Sequence, residues 1–264
     1  MPKLIVFRLK LTVIILFALS ILLLACNQRN SILVGASTTL EDSGLLPELI
    51  RRFESKHEVQ IKPVIAGSGQ LHDLIRRGNI DTAITHDPAG EARLLRDGII
   101  QSKIFLMRND FLIVGPTDDP AQVRSVISPV QALEKIHLTG ALFVSRADNS
   151  GTHQAEQKWW KLAKIIPTPD NYLQTGTGMG ATLAVAAERD GYTIVDRGSW
   201  LNFRDKRHLQ IVFEDAKSLP NIYSILSFNK EKAEPWESWL QRDTTQKFIR
   251  NYRLNNEIVF RLEP

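Results

Sequence analysis

Four short segments carry the residues best suited to chemistry: Ser37-Thr38-Thr39, Gly67-Ser68-Gly69, Asn149-Ser150-Gly151-Thr152 and Gly176-Thr177-Gly178-Met179-Gly180. Each combines glycine and small hydroxyl residues between an apolar run and an amphipathic one, the signature of a strand end leading into a helix. A helix start exposes unpaired N–H donors at the positive end of its dipole, glycine admits a ligand close to the backbone, and hydroxyls add donors. Singly, each segment is no more than a helix cap. Several gathered at the carboxyl ends of parallel strands make a cage of neutral donors for a dianion. The third segment adds charge, because Arg146 precedes it in Ser145-Arg146-Ala147-Asp148-Asn149-Ser150-Gly151-Thr152-His153. A guanidinium offers two parallel donors to an oxyanion edge. Asp148 is placed to orient Arg146, to cap the helix or to accept a proton from the ligand, and His153 reads as a helix-surface residue.

Rival chemistries find less support. Gly176-Thr177-Gly178-Met179-Gly180-Ala181 fits a dinucleotide fingerprint, with Asp196 ending the next strand, but Tyr172-Leu173-Gln174 is polar for the buried strand that fingerprint requires. The six histidines show no close pairing and there is one cysteine, so a zinc site has no basis. No Gly-x-Ser-x-Gly elbow occurs. No catalytic residue, metal or cofactor is expected, and Trp159, Trp160, Trp236 and Trp239 read as packing residues.

The elements that must position these loops follow a leader. Lys3, Arg8 and Lys10 precede an apolar run from Leu11 to Ala25, too short to span a bilayer comfortably and typical of a secretory signal. The run ends in Leu23-Leu24-Ala25-Cys26, which resembles a lipoprotein lipobox, so Cys26 is expected to become the lipidated first residue at the outer face of the membrane or in the periplasm. The full chain has 33 Lys+Arg against 29 Asp+Glu, a charge of +4. Residues 1–25 hold three of the basic residues and none of the acidic ones, so the mature charge is +1. Nucleic-acid binding is therefore not indicated. After a tether (26–31), strands and helices alternate. Strands are expected at Ile32–Ala36, Val59–Ala66 and Asp81–Thr85, then a run from Ile104 to Gly115 interrupted by Arg108-Asn109-Asp110 and crossing between lobes. Alternation restarts with a strand at Leu142–Ser145, a helix at Thr152–Ile165 and a helix at Ala181–Arg189, and the chain closes with helices near Trp236–Gln241 and Thr245–Tyr252. The expectation is a parallel α/β sheet in each of two lobes, residues 32–110 with 216–264 and residues 111–215.

In that order the chain resembles the tungstate-binding protein (TupA) family, the substrate-binding components of ATP-driven tungstate importers. The resemblance rests on Ser37 to Leu46, Asn109-Asp110-Phe111 with Val114-Gly115-Pro116, Ser145 to His153, Gly178 to Leu183 and Asp196-Arg197-Gly198, and covers nearly all of the mature chain. It implies a type II periplasmic-binding fold, two α/β lobes closing on tungstate or molybdate, with permease subunits as partners and a monomeric protein. Carried over by motif, Thr38, Thr39, Ser68, Arg146 and Thr152 contact the ligand, Ser150 and Gly151 donate from the helix start, and Thr177 or Thr182 adds donors from the Gly-Met-Gly turn. Ala147 departs from the family's glycine. Ala36 and Ser37 stand where the family's first motif usually has threonines. The rival functions are a phosphate-binding protein using Asp148 as proton acceptor, an exported enzyme acting on phosphate esters, and a purely structural lipoprotein.

Overall fold

The computed structural model describes residues 30–263 apart from 216 and 218; the signal segment and Cys26 lie outside the described residues. Strand β1 (Ser31–Ser37) runs parallel to β2 (Gln60–Ala66) on one side and to β3 (Thr82–Thr85) on the other. Helix α2 (Leu45–Glu54) buries Leu45, Leu46, Leu49 and Phe53, the i, i+1, i+4, i+8 positions of one face. Helix α3 (Ser68–Arg76) completes the β-α-β-α-β order, and α4 (Pro88–Arg96) follows β3. A five-residue helix, α1 (Thr38–Asp42), occupies what the sequence suggests is a turn; Ser37 caps it by accepting from the Leu40 N–H.

The sheet is mixed rather than wholly parallel. Strand β4 (Ser102–Pro116) and β9 (Pro220–Ser227) pair antiparallel, and β9 also runs antiparallel to β3. Arg108-Asn109-Asp110 does not interrupt β4. Asn109 and Asp110 are fully buried yet hydrogen-bonded within a polar seam, so they continue the strand where their composition argues for a break. From Ser102 to Asp110 β4 pairs with β9; from Phe111 onward it pairs with β7 (Thr193–Asp196), and from Leu112 with β8 (Leu209–Glu214). One strand thus serves two sheets, and β9 returns beside it. The parallel pair β5 (Phe143–Ser145) and β6 (Tyr172–Gln174) adjoins β7 through a Phe143–Tyr192 bridge.

The larger of two main cores spans both halves, running from β1 to Val144, Met179, Leu183 and Val195. It gathers Phe53, Trp236, Trp239 and the C-terminal Val259 and Phe260 with β1; the other gathers Phe111, Phe143, Trp159, Trp160 and Tyr192. Trp159, Trp160, Trp236 and Trp239 are packed as expected, with Phe53 meeting Trp236 edge-on at 5.2 Å. Helices α5 (Pro129–Leu138), α6 (Gly151–Ala163), α7 (Met179–Arg189) and the short α8 (Arg197–Asn202) cover the second half; α9 (Lys230–Leu240) and α10 (Asp243–Arg250) return to the first. The sequence reading does not pick out α4, α5 or α8. Two of them open with Pro at the first turn, after Asp87 and Ser128 caps. Among the described residues no helix is long and apolar enough to cross a membrane.

Candidate oxyanion site

The four glycine- and hydroxyl-rich loops all lie at carboxyl ends of strands. Ser37 closes β1, Gly67 follows β2, Arg146 follows β5, and Gly178 caps α7 beyond β6. The second and third touch each other. A Cβ added to Gly67 would lie 3.4 Å from the Asp148 carbonyl oxygen, and one on Gly69 the same distance from the Asn149 Cβ.

Arg146 is the centre. It is 1% exposed and among the largest fully buried side chains. Its Nη2 donates to Asp148 Oδ2 at 2.5 Å and to Thr38 Oγ1 at 2.9 Å. Its Nε and Nη1 have no partner, and neither do the buried hydroxyls Ser68 Oγ and Thr152 Oγ1. Buried donors without acceptors cost free energy, more so on a cation, and persist where a ligand supplies the acceptors. Ser68, Arg146 and Thr152 come from the two loops whose backbones meet at Gly67 and Asp148.

The remaining expected residues divide. The Thr39 hydroxyl lies 2.9 Å from His86 Nε2 and 3.2 Å from Ser37 Oγ, with Tyr223 OH at 3.4 Å. Ser150 donates its N–H to Asp148 Oδ1 and accepts from the His153 N–H, so its polar groups are engaged in building the turn. Gly151 is a packing requirement: a Cβ there would sit 2.5 Å from the His86 carbonyl oxygen. Thr182 Oγ1 donates to the Gly178 carbonyl at 3.1 Å and lies 3.0 Å from Thr175 Oγ1, while Thr177 is exposed with its N–H on Thr175 Oγ1. The Gly-Met-Gly turn is tied to the Arg146 backbone through Thr175, whose hydroxyl reaches the Ser145 and Arg146 carbonyls at 3.1 and 3.4 Å. His153 is buried rather than on the surface. Its Nδ1 accepts from the Asn149 N–H at 3.1 Å, because the tight turn brings residue 149 over the helix start.

Ala147 adopts φ 49° and Asn149 φ 57°. Ala147 thus holds a left-handed backbone that glycine would adopt without strain. The turn is braced by Ala147 N–H donating to Ser145 Oγ at 3.2 Å, and Ser145 Oγ donating to Glu156 Oε2 at 2.8 Å. Burial pushes Glu156 up to about 7 against the pull of hydrogen bonds from Tyr172 and Ser145. Burial and the neighbouring Asp196 raise Asp42 to about 6, with Arg146 opposing. His86 is lowered to about 4 by complete burial and stays neutral, while burial raises Asp196. His86, Asn221, Tyr223 and Thr175 escape the sequence reading as site residues. The one signal for His86 is a polar Thr85-His86-Asp87 at a strand's carboxyl end.

Two α/β lobes, strands that cross between them and donor-rich loops at the strand ends define a solute-binding protein of the periplasmic-binding class, and residues 26–251 match the PBP superfamily domain. The chain is 33% identical over 234 residues to the tungstate-binding protein TupA of Peptoclostridium acidaminophilum, covering 85% of this chain and 82% of that protein. It therefore belongs to the tungstate-binding protein (TupA) family. The crystal structure of the tungstate ABC transporter from Geobacter sulfurreducens superposes with a TM-score of 0.77 at 33% identity, over 86% of this chain and 100% of that one. The tungstate-binding protein TupA from Desulfovibrio alaskensis G20 gives 0.73 at 32% identity, over 87% and 97%.

Proposed function

We propose that this protein captures tungstate, or its near-isosteric relative molybdate, between its lobes and delivers it to the permease subunits of an ABC importer. The carrying observation is that Arg146 Nε and Nη1, Ser68 Oγ and Thr152 Oγ1 are buried donors without partners on two loops that touch, with Thr38 held on Arg146 Nη2. A fully deprotonated tetrahedral dianion is an acceptor at every oxygen and matches a wall of donors. In this reading Thr38, Ser68, Arg146 and Thr152 contact the anion, and Thr39, Ser150, Gly151, Thr177 and Thr182 shape the turns that hold them. Lobe I comprises 32–110 and 216–264 and lobe II 111–215. The change of β4 partners between Asp110 and Phe111 supports that boundary. Closure removes water and strengthens each hydrogen bond. The mature protein is exported and held by lipid on Cys26, which intact-mass measurement of membrane-extracted protein checks.

Phosphate is the second reading, since near neutral pH it still carries a proton that needs an acceptor. Both Asp148 oxygens already accept, from Arg146 and from the Ser150 N–H, which disfavours that role. Calorimetric titration with tungstate, molybdate, sulfate and phosphate decides. Tight tungstate binding with phosphate silent is expected; tight phosphate binding overturns the reading. No hydrolysis of phosphate esters is expected in the same samples.

A further inference from the structure

Thr39 stands in the family's N-terminal hydroxyl motif, yet its hydroxyl is fully engaged inside the protein, and the proton directions can be traced residue by residue. Asp196 Oδ1 receives the Ser199 N–H at 3.1 Å and Asn109 Nδ2 at 3.0 Å, so Asn109 turns its oxygen toward Asn221. Asn221 Nδ2 donates to that oxygen at 2.7 Å and to Tyr223 OH at 3.1 Å, leaving Asn221 Oδ1 facing His86 Nδ1 at 2.8 Å. The His86 proton is therefore on Nδ1. A neutral imidazole then has a lone pair at Nε2, 2.9 Å from Thr39 Oγ1, which must donate to it. Tyr223 OH, with its acceptor side taken by Asn221, donates to Thr39 Oγ1 at 3.4 Å; Ser37 Oγ, accepting from the Leu40 N–H, turns its hydrogen to Thr39 at 3.2 Å. Thr39 Oγ1 thus donates once and accepts twice, and is 0% exposed.

The chain of donors runs one way, Thr39 to His86 to Asn221 to Asn109 to Asp196. It starts in α1, crosses both strands that link the lobes, and ends where β7 meets α8. The Asp196 end sets the direction whether or not its other oxygen is protonated. Gly151, at the start of α6, packs on the carbonyl and ring of His86 from the opposite lobe. Burial dominates the ring's environment and holds it neutral; among charges Arg146 acts on it most strongly, followed by Asp87 and Asp148.

We propose that His86 is a positioning residue for anion capture: its Nδ1–H tautomer engages the Thr39 hydroxyl and holds the Ser37-Thr38-Thr39 turn, with the Thr38 hydroxyl on Arg146, in register with the crossover strands. The proposal rests on the capture function above. Nitrogen-15 NMR of the mature wild-type chain is expected to show His86 protonated at Nδ1 and bare at Nε2, unchanged from pH 8 to pH 5. An Nε2–H tautomer, or titration near the ordinary histidine value, overturns it. Tungstate titration of His86→Asn, which keeps a donor toward Asn221 but loses Nε2, and of the near-isosteric Thr39→Val is expected to show about tenfold weaker binding for each, with the double variant no weaker than the weaker single one. Multiplying losses, or unchanged affinity in His86→Asn, overturn the proposal. Should the Asn variant not fold, the wild-type spectrum still decides. Wild-type protein that binds no oxyanion removes the capture reading instead and leaves the tautomer result standing.

Discussion

Arg146 and Ala147 are neighbours with opposite energetic roles. The guanidinium is buried with two nitrogens unpartnered, and its nearest anion, Asp148, is also the acceptor that fixes the Ser150 end of the turn. Arg146→Ala is expected to weaken tungstate binding by roughly 2–5 kcal/mol, the usual cost of truncating a buried charge-assisted contact, as read by calorimetry. A lysine there supplies charge without the planar fork, so Arg146→Lys should recover little of that loss. Ala147 carries left-handed strain at φ 49°. Ala147→Gly is expected to raise unfolding free energy by about 1 kcal/mol in denaturant titration, with tungstate affinity within twofold of wild type. A destabilised glycine variant would show that the Ser145 brace depends on the methyl group.

Helix α6 organises the site from below. Its first turn presents Thr152, Gly151 brings the helix start against His86, and one turn later Glu156 reaches back to Ser145. A Cβ at Gly151 meets backbone oxygen at 2.5 Å, so Gly151→Ala must displace the helix start and is expected to lower both melting temperature and anion affinity. For Glu156 the folded value of about 7 lies above its ordinary 4.5, so the fold favours the protonated carboxyl. That contribution is full below the ordinary value and is lost as pH rises through about 7. Unfolding free energy should therefore decline between pH 5 and pH 8, and Glu156→Gln should flatten that decline by on the order of 2 kcal/mol. An identical pH profile in the Gln variant would remove Glu156 as the cause.

For the whole molecule, capture is an electrostatic event in a region that already holds buried carboxyls. Burial raises Asp42 to about 6, with Asp196 adding to the rise and Arg146 opposing it. A dianion bound beside Arg146 opposes ionisation of these groups and raises their affinity for protons, so binding is expected to be accompanied by proton uptake between pH 6 and pH 7. Tungstate affinity should rise as pH falls from 8 to 6, and titrations in buffers of different ionisation enthalpy measure the protons directly. Proton release on binding would contradict this picture.

Local patterns in the sequence determined most of the order of strands and helices and the glycine–hydroxyl loops with Arg146 between them, because these depend on periodicity, caps and composition within a few residues of each other. The placement of Ser68, Arg146 and Thr152 was legible for that reason: each stands at a strand-to-helix junction. Only the tertiary structure decided which hydroxyls remain available. Thr39, Ser150 and Thr182 have the same chemistry as Ser68 and Thr152, but their oxygens are taken up by His86, by the turn at 148–153 and by Thr175. The antiparallel crossover strands, the buried Asn109 and Asp110, and the inward turn of His153 likewise depend on partners 87 to 151 residues away or on the folding of one tight turn. A polar residue's pattern in sequence gives its donors and acceptors; which of them are already satisfied is a property of the closed three-dimensional network.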